Sequence, residues 1–210
     1  MPTTEPLGLI VDWGGVLTTP VDASFAVFTR EEGIEPLEFK AAMRRLHDEQ
    51  DSPLHRVEVG AIPRAEFERS VAGMLRTADG GPVHPEGLVS RMFAHALPNS
   101  AVRDLVTAAR GRGWRTAVLS NSWGNPYDEE DLAGLVDAVL LSERLGVRKP
   151  EPAAYLAAAD ALGVEPSRCV FVDDLRRNTT AASALGMSAF QYRPGTEQML
   201  EDLLRRQEQQ

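Results

Sequence analysis

The 210-residue chain predicts an α/β fold, a Rossmann-like doubly wound parallel sheet core with a helical cap inserted after the first strand. Three observations predict it. The run Leu9-Ile10-Val11 reads as a short buried strand that stops at Asp12 and turns through Gly14 and Gly15. After residue 98, four more apolar runs alternate with helical patterns, as in a parallel sheet covered on both faces. Residues 18–97 carry helical periodicity but no convincing apolar strand. The expected division is therefore a core of residues 1–17 and 98–210 with a helical cap of residues 18–97.

The elements follow in order. An aspartate at the carboxyl end of the first strand points into the crevice where open α/β sheets bind ligands, and the glycines let backbone amides approach an anion. Inserted helices are expected over 23–32, 36–47, 63–75 and 85–96, several with proline in the first turn, with a loop over 77–85. Arg56-Val57-Glu58-Val59 reads as a short extended piece or as irregular. A helix over 100–110 stops at Gly111 or Gly113, and the strand Thr116-Ala117-Val118-Leu119 ends at Ser120-Asn121. Residues 137–141 form the next strand, then a loop and a helix over 152–162 that Gly163 ends. Arg168 to Val172 is a strand ending at Asp173-Asp174, and a helix over 178–185 leads to a last strand at 189–191. Met199, Leu200, Leu203 and Leu204 mark an amphipathic final helix, followed by a polar, frayed tail over 205–210.

Composition sets the class. A hydrophobic share of 43% and a charged share of 25% belong to a soluble globular protein. The first apolar run, flanked by Glu5 and Asp12, fits neither a signal peptide nor a transmembrane helix, so a cytoplasmic protein is expected. The single Cys169 sits among strand formers and reads as core. A net charge of -9 argues against nucleic acid and acidic membranes as partners. A small anionic substrate must then be attracted locally, by a metal or by a few aimed cations. No heptad run or apolar patch fixes an oligomeric state.

Polar residues fall at the ends of three expected strands: Asp12, Ser120 with Asn121, and Asp173 with Asp174. Singly, each also reads as a turn or cap residue, and Lys149 as a loop cation. Together they point to one site. In this order they resemble the haloacid dehalogenase (HAD) superfamily across the whole chain. Val11-Asp12-Trp13-Gly14-Gly15-Val16-Leu17 is similar to its first motif and Val118-Leu119-Ser120-Asn121 to its second. Lys149-Pro150-Glu151-Pro152 is similar to the third, and Phe171-Val172-Asp173-Asp174-Leu175-Arg176-Arg177-Asn178 to the fourth. The helical insertion resembles the small cap of the subclass that includes haloacid dehalogenases, phosphoglycolate phosphatases and β-phosphoglucomutases. Glu58-Val59-Gly60-Ala61-Ile62, then Phe67, is similar to a stretch found in such caps.

The resemblance implies a Mg²⁺-dependent phosphatase acting on a small phosphorylated metabolite through an aspartyl-phosphate. Asp12 is then the nucleophile. Asp12, the Gly14 carbonyl and Asp174 hold Mg²⁺, a cation suited to hard oxygen ligands, with Asp173 adjacent. Ser120 and the Asn121 amide bind phosphoryl oxygens, Lys149 sets a compact charge against nucleophile and substrate, and Asn178 orients Lys149 or the metal's surroundings. One departure matters. Many phosphatases of the family carry an aspartate two positions after the nucleophile as general acid and base, a role commonly worth about 10²- to 10⁴-fold in rate. Here that position is Gly14. Either the substrate has a good leaving group (anomeric, aryl or acyl phosphate), or a cap residue or water supplies the proton, or the fold binds without turnover as a regulatory protein. A 2-haloacid dehalogenase, which also lacks that aspartate, is the remaining rival, but clustered Asp173 and Asp174 have no evident use there.

Trp13 and Trp123 either line the pocket or pack in the core. His47, His55, His84 and His95 match no metal spacing and read as solvated or partly packed. Arg44, Arg45 and Arg56 either meet a second anionic group of the substrate or decorate a solvated helix face.

Overall fold

The computed structural model describes residues 6–209; residues 1–5 of the expected core and Gln210 of the expected tail lie outside the described residues. Five strands, β1 (Gly8–Val11), β2 (Arg115–Ser120), β3 (Ala138–Leu141), β4 (Cys169–Asp173) and β5 (Ser188–Gln191), form one parallel sheet in the order β3-β2-β1-β4-β5. The chain winds outward from β1 to β3, then crosses back to β4 and β5. This reversal puts the topological switch point between β1 and β4, where such sheets open a crevice.

Eleven helices accompany the sheet among the described residues: α1 (Val21–Glu31), α2 (Pro36–Asp48), α3 (Pro53–Glu58), α4 (Arg64–Met74), α5 (Leu88–Met92), α6 (Ser100–Gly111), α7 (Glu129–Leu135), α8 (Ser142–Leu145), α9 (Pro152–Leu162), α10 (Arg176–Ala184) and α11 (Glu197–Gln207). Strand alternation sorts the core into two layers. Leu9, Val11, Val118, Val170 and Val172 pack with α6, α11 and the inserted helices. Ile10, Ala117, Leu119, Cys169 and Phe171 pack with α9 and α10. Helices α1 to α5 all fall between β1 and β2, and the chain enters and leaves them side by side, with Thr19 N–H bonded to the Leu97 carbonyl at 2.7 Å and Asn99 N–H to that of Leu17 at 2.8 Å. No helix among the described residues is long and apolar enough to cross a membrane.

Three expectations are corrected. Residues 56–58 are helical, in α3, because Ser52 Oγ caps the helix by accepting from His55 N–H at 3.2 Å and Pro53 occupies its first turn. The helix expected over 85–96 shrinks to α5, since Gly87, at a φ of 68°, adopts a left-handed turn at its start. The tail is not frayed up to Glu208: α11 runs to Gln207, and Glu208 accepts hydrogen bonds from Trp114 Nε1 at 2.8 Å and Arg112 Nε at 2.6 Å. Helices α7 and α8 add short elements that periodicity does not reveal.

Candidate active site

Sheet register assembles the site. Val11 lies opposite Val118 on one side and Val172 on the other, so Asp12, Ser120 and Asp173 emerge at the same edge of the sheet. Above them, between the strand ends and the inserted helices, lies a cavity of about 170 Å³. Asp12, Ser120, Asn121, Lys149, Asp174 and Asn178 face it from the sheet side.

Lys149 organises the floor. Its ammonium is fully buried and sits 2.9 Å from Asp12 Oδ1 and 2.7 Å from Asp173 Oδ2. Its backbone is fixed by Asn121, whose Oδ1 accepts from Lys149 N–H at 2.9 Å and whose Nδ2 donates to the Lys149 carbonyl at 2.9 Å. Asp173 is held on every side: Asn178 Nδ2 donates to both its oxygens at 3.0 Å, and Leu175 N–H donates to Oδ1 at 2.8 Å. Asp12 Oδ1 also accepts from Trp13 N–H at 2.7 Å, whereas Oδ2 accepts from no donor among the described residues. One oxygen of Asp12 is thus anchored and the other left free.

Asp174 completes the cluster. Its carboxylate closes on Gly15, where a β-carbon would lie 2.7 Å from Oδ2, and the φ of +74° there also favours glycine. One carboxylate oxygen from each of Asp12, Asp173 and Asp174 lies within 4.8 Å of the other two. Burial, reinforced by Asp173 and Asp174, pushes the Asp12 pKa up to about 8 despite the pull of Lys149. Burial, then Asp173, raises Asp174 to about 6. Burial opposes the charge of Lys149, but Asp12 and Asp173 outweigh it and drive its pKa upward. Three carboxylates against one ammonium leave excess negative charge in a confined space, and the oxygen-only donor set suits a hard divalent cation.

Gly14 is packed rather than empty: a β-carbon there would lie 3.0 Å from Val21 Cγ2 on α1. The Ser120 hydroxyl pairs with the Tyr127 hydroxyl at 3.0 Å. Trp13 and Trp123 line the cavity and also belong to the apolar core, in an aromatic cluster with Phe25 and Phe93.

The inserted helices contribute Glu58 and His47. Glu58, at the end of α3, is buried and accepts from Trp123 Nε1 at 3.0 Å and from Arg148 Nη1, joining the insertion to the core. Nearby, Arg64 Nη1 donates to the Gly124 carbonyl at 2.8 Å, and Gly60 packs so tightly that a β-carbon would collide with the Glu143 carbonyl. His47 projects from α2 into the cavity, unlike the exposed His95, which lies beside Glu31. Arg44 and Arg45 lie instead in a separate outer depression with Leu37 and Lys40, and Arg56 is not among the cavity's lining. The cation that the sequence did not single out is Arg177, in the first turn of α10. Its signal was its place three residues after Asp174, within the same strand-to-helix turn.

The chain is 35% identical over 133 residues to "Phosphatase MT3486" of Mycobacterium tuberculosis, a match covering 61% of this chain and 60% of that protein, less than two thirds of its length. It is 30% identical over 188 residues to enolase-phosphatase E1 of Frankia alni, covering 82% of this chain and 76% of that protein. A Bacteroides thetaiotaomicron HAD family enzyme, solved with magnesium and inorganic phosphate, shares the fold at a TM-score of 0.66 and 23% identity, over 90% of this chain and 96% of that one. Residues 7–186 match the family of haloacid dehalogenase-like hydrolases, and the chain belongs to that family.

Proposed function

We propose that this hydrolase is a Mg²⁺-dependent phosphatase that cleaves a small phosphorylated metabolite through a phosphoryl-Asp12 intermediate, with residues 18–97 acting as its cap. The half-free Asp12 carboxylate carries the reading: Oδ1 is anchored by Lys149 and Trp13, and Oδ2 faces the cavity unoccupied by any donor among the described residues. The phosphatase names of the mycobacterial and Frankia relatives support the same chemistry.

Asp12, the Gly14 carbonyl and Asp174 would hold Mg²⁺, which supplies neutralisation of phosphoryl charge and offsets the repulsion among the carboxylates. Asp173 is fully engaged by Lys149, Asn178 and Leu175, and so serves to aim the lysine. In the first step Asp12 Oδ2 attacks phosphorus as the bond to the leaving oxygen breaks, while Ser120, the Asn121 amide and Lys149 stabilise the phosphoryl oxygens. In the second, water attacks phosphorus, its proton passes to solvent, and the bond between phosphorus and Asp12 Oδ2 breaks, releasing phosphate and restoring the carboxylate.

Val21 occupies the space beside Gly14, so no acid stands two positions after the nucleophile. Leaving groups that depart without protonation are therefore favoured: acyl, anomeric and aryl phosphates over alkyl phosphates. The test is phosphate release from these four classes with and without Mg²⁺, with Asp12→Asn as control. Mg²⁺-dependent turnover lost in the control supports the reading. A folded protein that binds Mg²⁺ and phosphate but turns over none of them is a binding protein, and halide release without Mg²⁺ makes it a dehalogenase.

A further inference from the structure

Two basic residues of the cavity's lining take no part in the chemistry above: His47, on the inserted α2, and Arg177, on the core's α10. His47 Nδ1 is buried and makes no hydrogen bond, a rare condition that costs about 1–3 kcal/mol when nothing fills it. Arg177 makes no ion pair or hydrogen bond among the described residues. The other cations of the neighbourhood are spoken for: Lys149 by Asp12 and Asp173, Arg148 by Glu58. The aromatic rings of Trp13, Phe25, Phe93 and Trp123 line the same cavity and give a ligand's carbon skeleton an apolar surface.

We propose that His47 and Arg177 form a subsite for a second anionic group, so that the substrate is a phosphomonoester carrying a carboxylate or further phosphate beyond a short apolar spacer. The inference rests on the phosphatase reading for the first end of the substrate, and deepens it at the other. Arg177 supplies the charge, with a planar fork suited to carboxylate or phosphate oxygens. His47 supplies a directional hydrogen bond. Burial first, and the charge of Arg177 next, push the imidazole's pKa below its usual value, and an anion between the two would give the buried His47 Nδ1 a partner and the exposed Arg177 guanidinium a counter-charge. In a protein of net charge -9, such local cations are what would draw a dianionic ligand to the cleft. The arrangement also makes specificity depend on the insertion's position, because one partner sits on each side of the gap.

The test uses uncleavable ligands, so that binding is read without turnover. Calorimetry in Mg²⁺ buffer compares alkylphosphonates with ω-carboxyalkylphosphonates of increasing chain length, on the wild type, Arg177→Gln and His47→Gln. At the best spacing the carboxylated ligand should bind about 10- to 100-fold tighter than its neutral counterpart, and this gap should close toward one in Arg177→Gln and narrow in His47→Gln. Equal affinity across the wild-type series overturns the subsite. So does a gap that survives both substitutions, and so does failure to bind any phosphonate. Phosphate release from acyl and aryl phosphates, measured alongside, keeps the two readings apart. Turnover without a carboxylate gap refutes the subsite alone, whereas a gap without turnover refutes the phosphatase and upholds the subsite.

Discussion

The two sides of the cavity are built on different principles. On the sheet side, Asp12, Lys149, Asp173 and Asn178 are locked together by hydrogen bonds and ion pairs of 2.7 to 3.0 Å, with Asp12 and Asp173 placed by parallel register and the Lys149 backbone fixed by Asn121. On the insertion side, His47 stands on α2, Phe25 on α1 and Phe93 just past α5, and the polar links to the core include Glu58 with Trp123 and Arg148, and Arg64 with Gly124. One side is preorganised for charge; the other is positioned by helix packing and can be repositioned at modest cost. Substitutions on the sheet side should therefore strike kcat and stability, and those on the insertion side KM and selectivity.

The sharpest contrast comes from Asp12→Asn, which should reduce phosphate release to background yet raise stability. A carboxyl held at about 8 in the fold against 3.8 in the open chain makes the native state bind more protons than the unfolded state between those values. Metal-stripped wild type should accordingly lose stability as pH rises through that window, and the asparagine variant should lose less, keeping only the part that Asp174, held at about 6, contributes below that pH. Thermal melts across pH in chelator check it. Lys149→Met should lose both activity and stability, by about 3–5 kcal/mol, because Asp12 and Asp173 are left buried without their shared cation. Denaturant unfolding provides the figure, and a stable Lys149→Met protein would break the comparison.

Asn178→Ala should lower kcat or Mg²⁺ affinity by about 10- to 100-fold with the fold intact, since Asp173 would lose the amide that aims it at Lys149. Glu58→Gln, on the insertion side, should raise KM severalfold with a smaller effect on kcat, as the Arg148 pair across the gap is lost. Steady-state kinetics separate these two. The smallest effect is expected for Arg45→Ala: its side chain is 73% exposed, its only ion pair among the described residues is with Glu49 at 3.8 Å, and stability should stay within about ±0.5 kcal/mol with kinetics unchanged.

The same contrast explains what the sequence disclosed. Asp12, Ser120, Asn121, Asp173 and Asp174 sit at or next to a strand end, where apolar alternation and a turn form a local pattern that register then converts into proximity, whereas Lys149, in the loop before α9, and Asn178, inside α10, were legible only through the family resemblance. Cys169 as core and Asp173 beside Asp174 were legible for that reason. His47 and Arg177 were not, because helical periodicity tells which face is buried but not what that face meets. Arg44, Arg45 and Arg56 were equally plausible anion ligands in sequence, and only the packing of α2 against the core separates them from Arg177. Residues 56–58 were ambiguous because a six-residue helix is too short to show a period, and its determinants, Ser52 and Pro53, lie at its edge.

Rapid acid quench of a single turnover on an acyl or aryl phosphate, followed by peptide mass spectrometry, tests the central claim most directly. The account predicts a transient gain of one phosphoryl group on the peptide containing Asp12, absent in Asp12→Asn. Full phosphate release with no phosphorylated peptide at any quench time, or with the phosphoryl group on another residue, would contradict it.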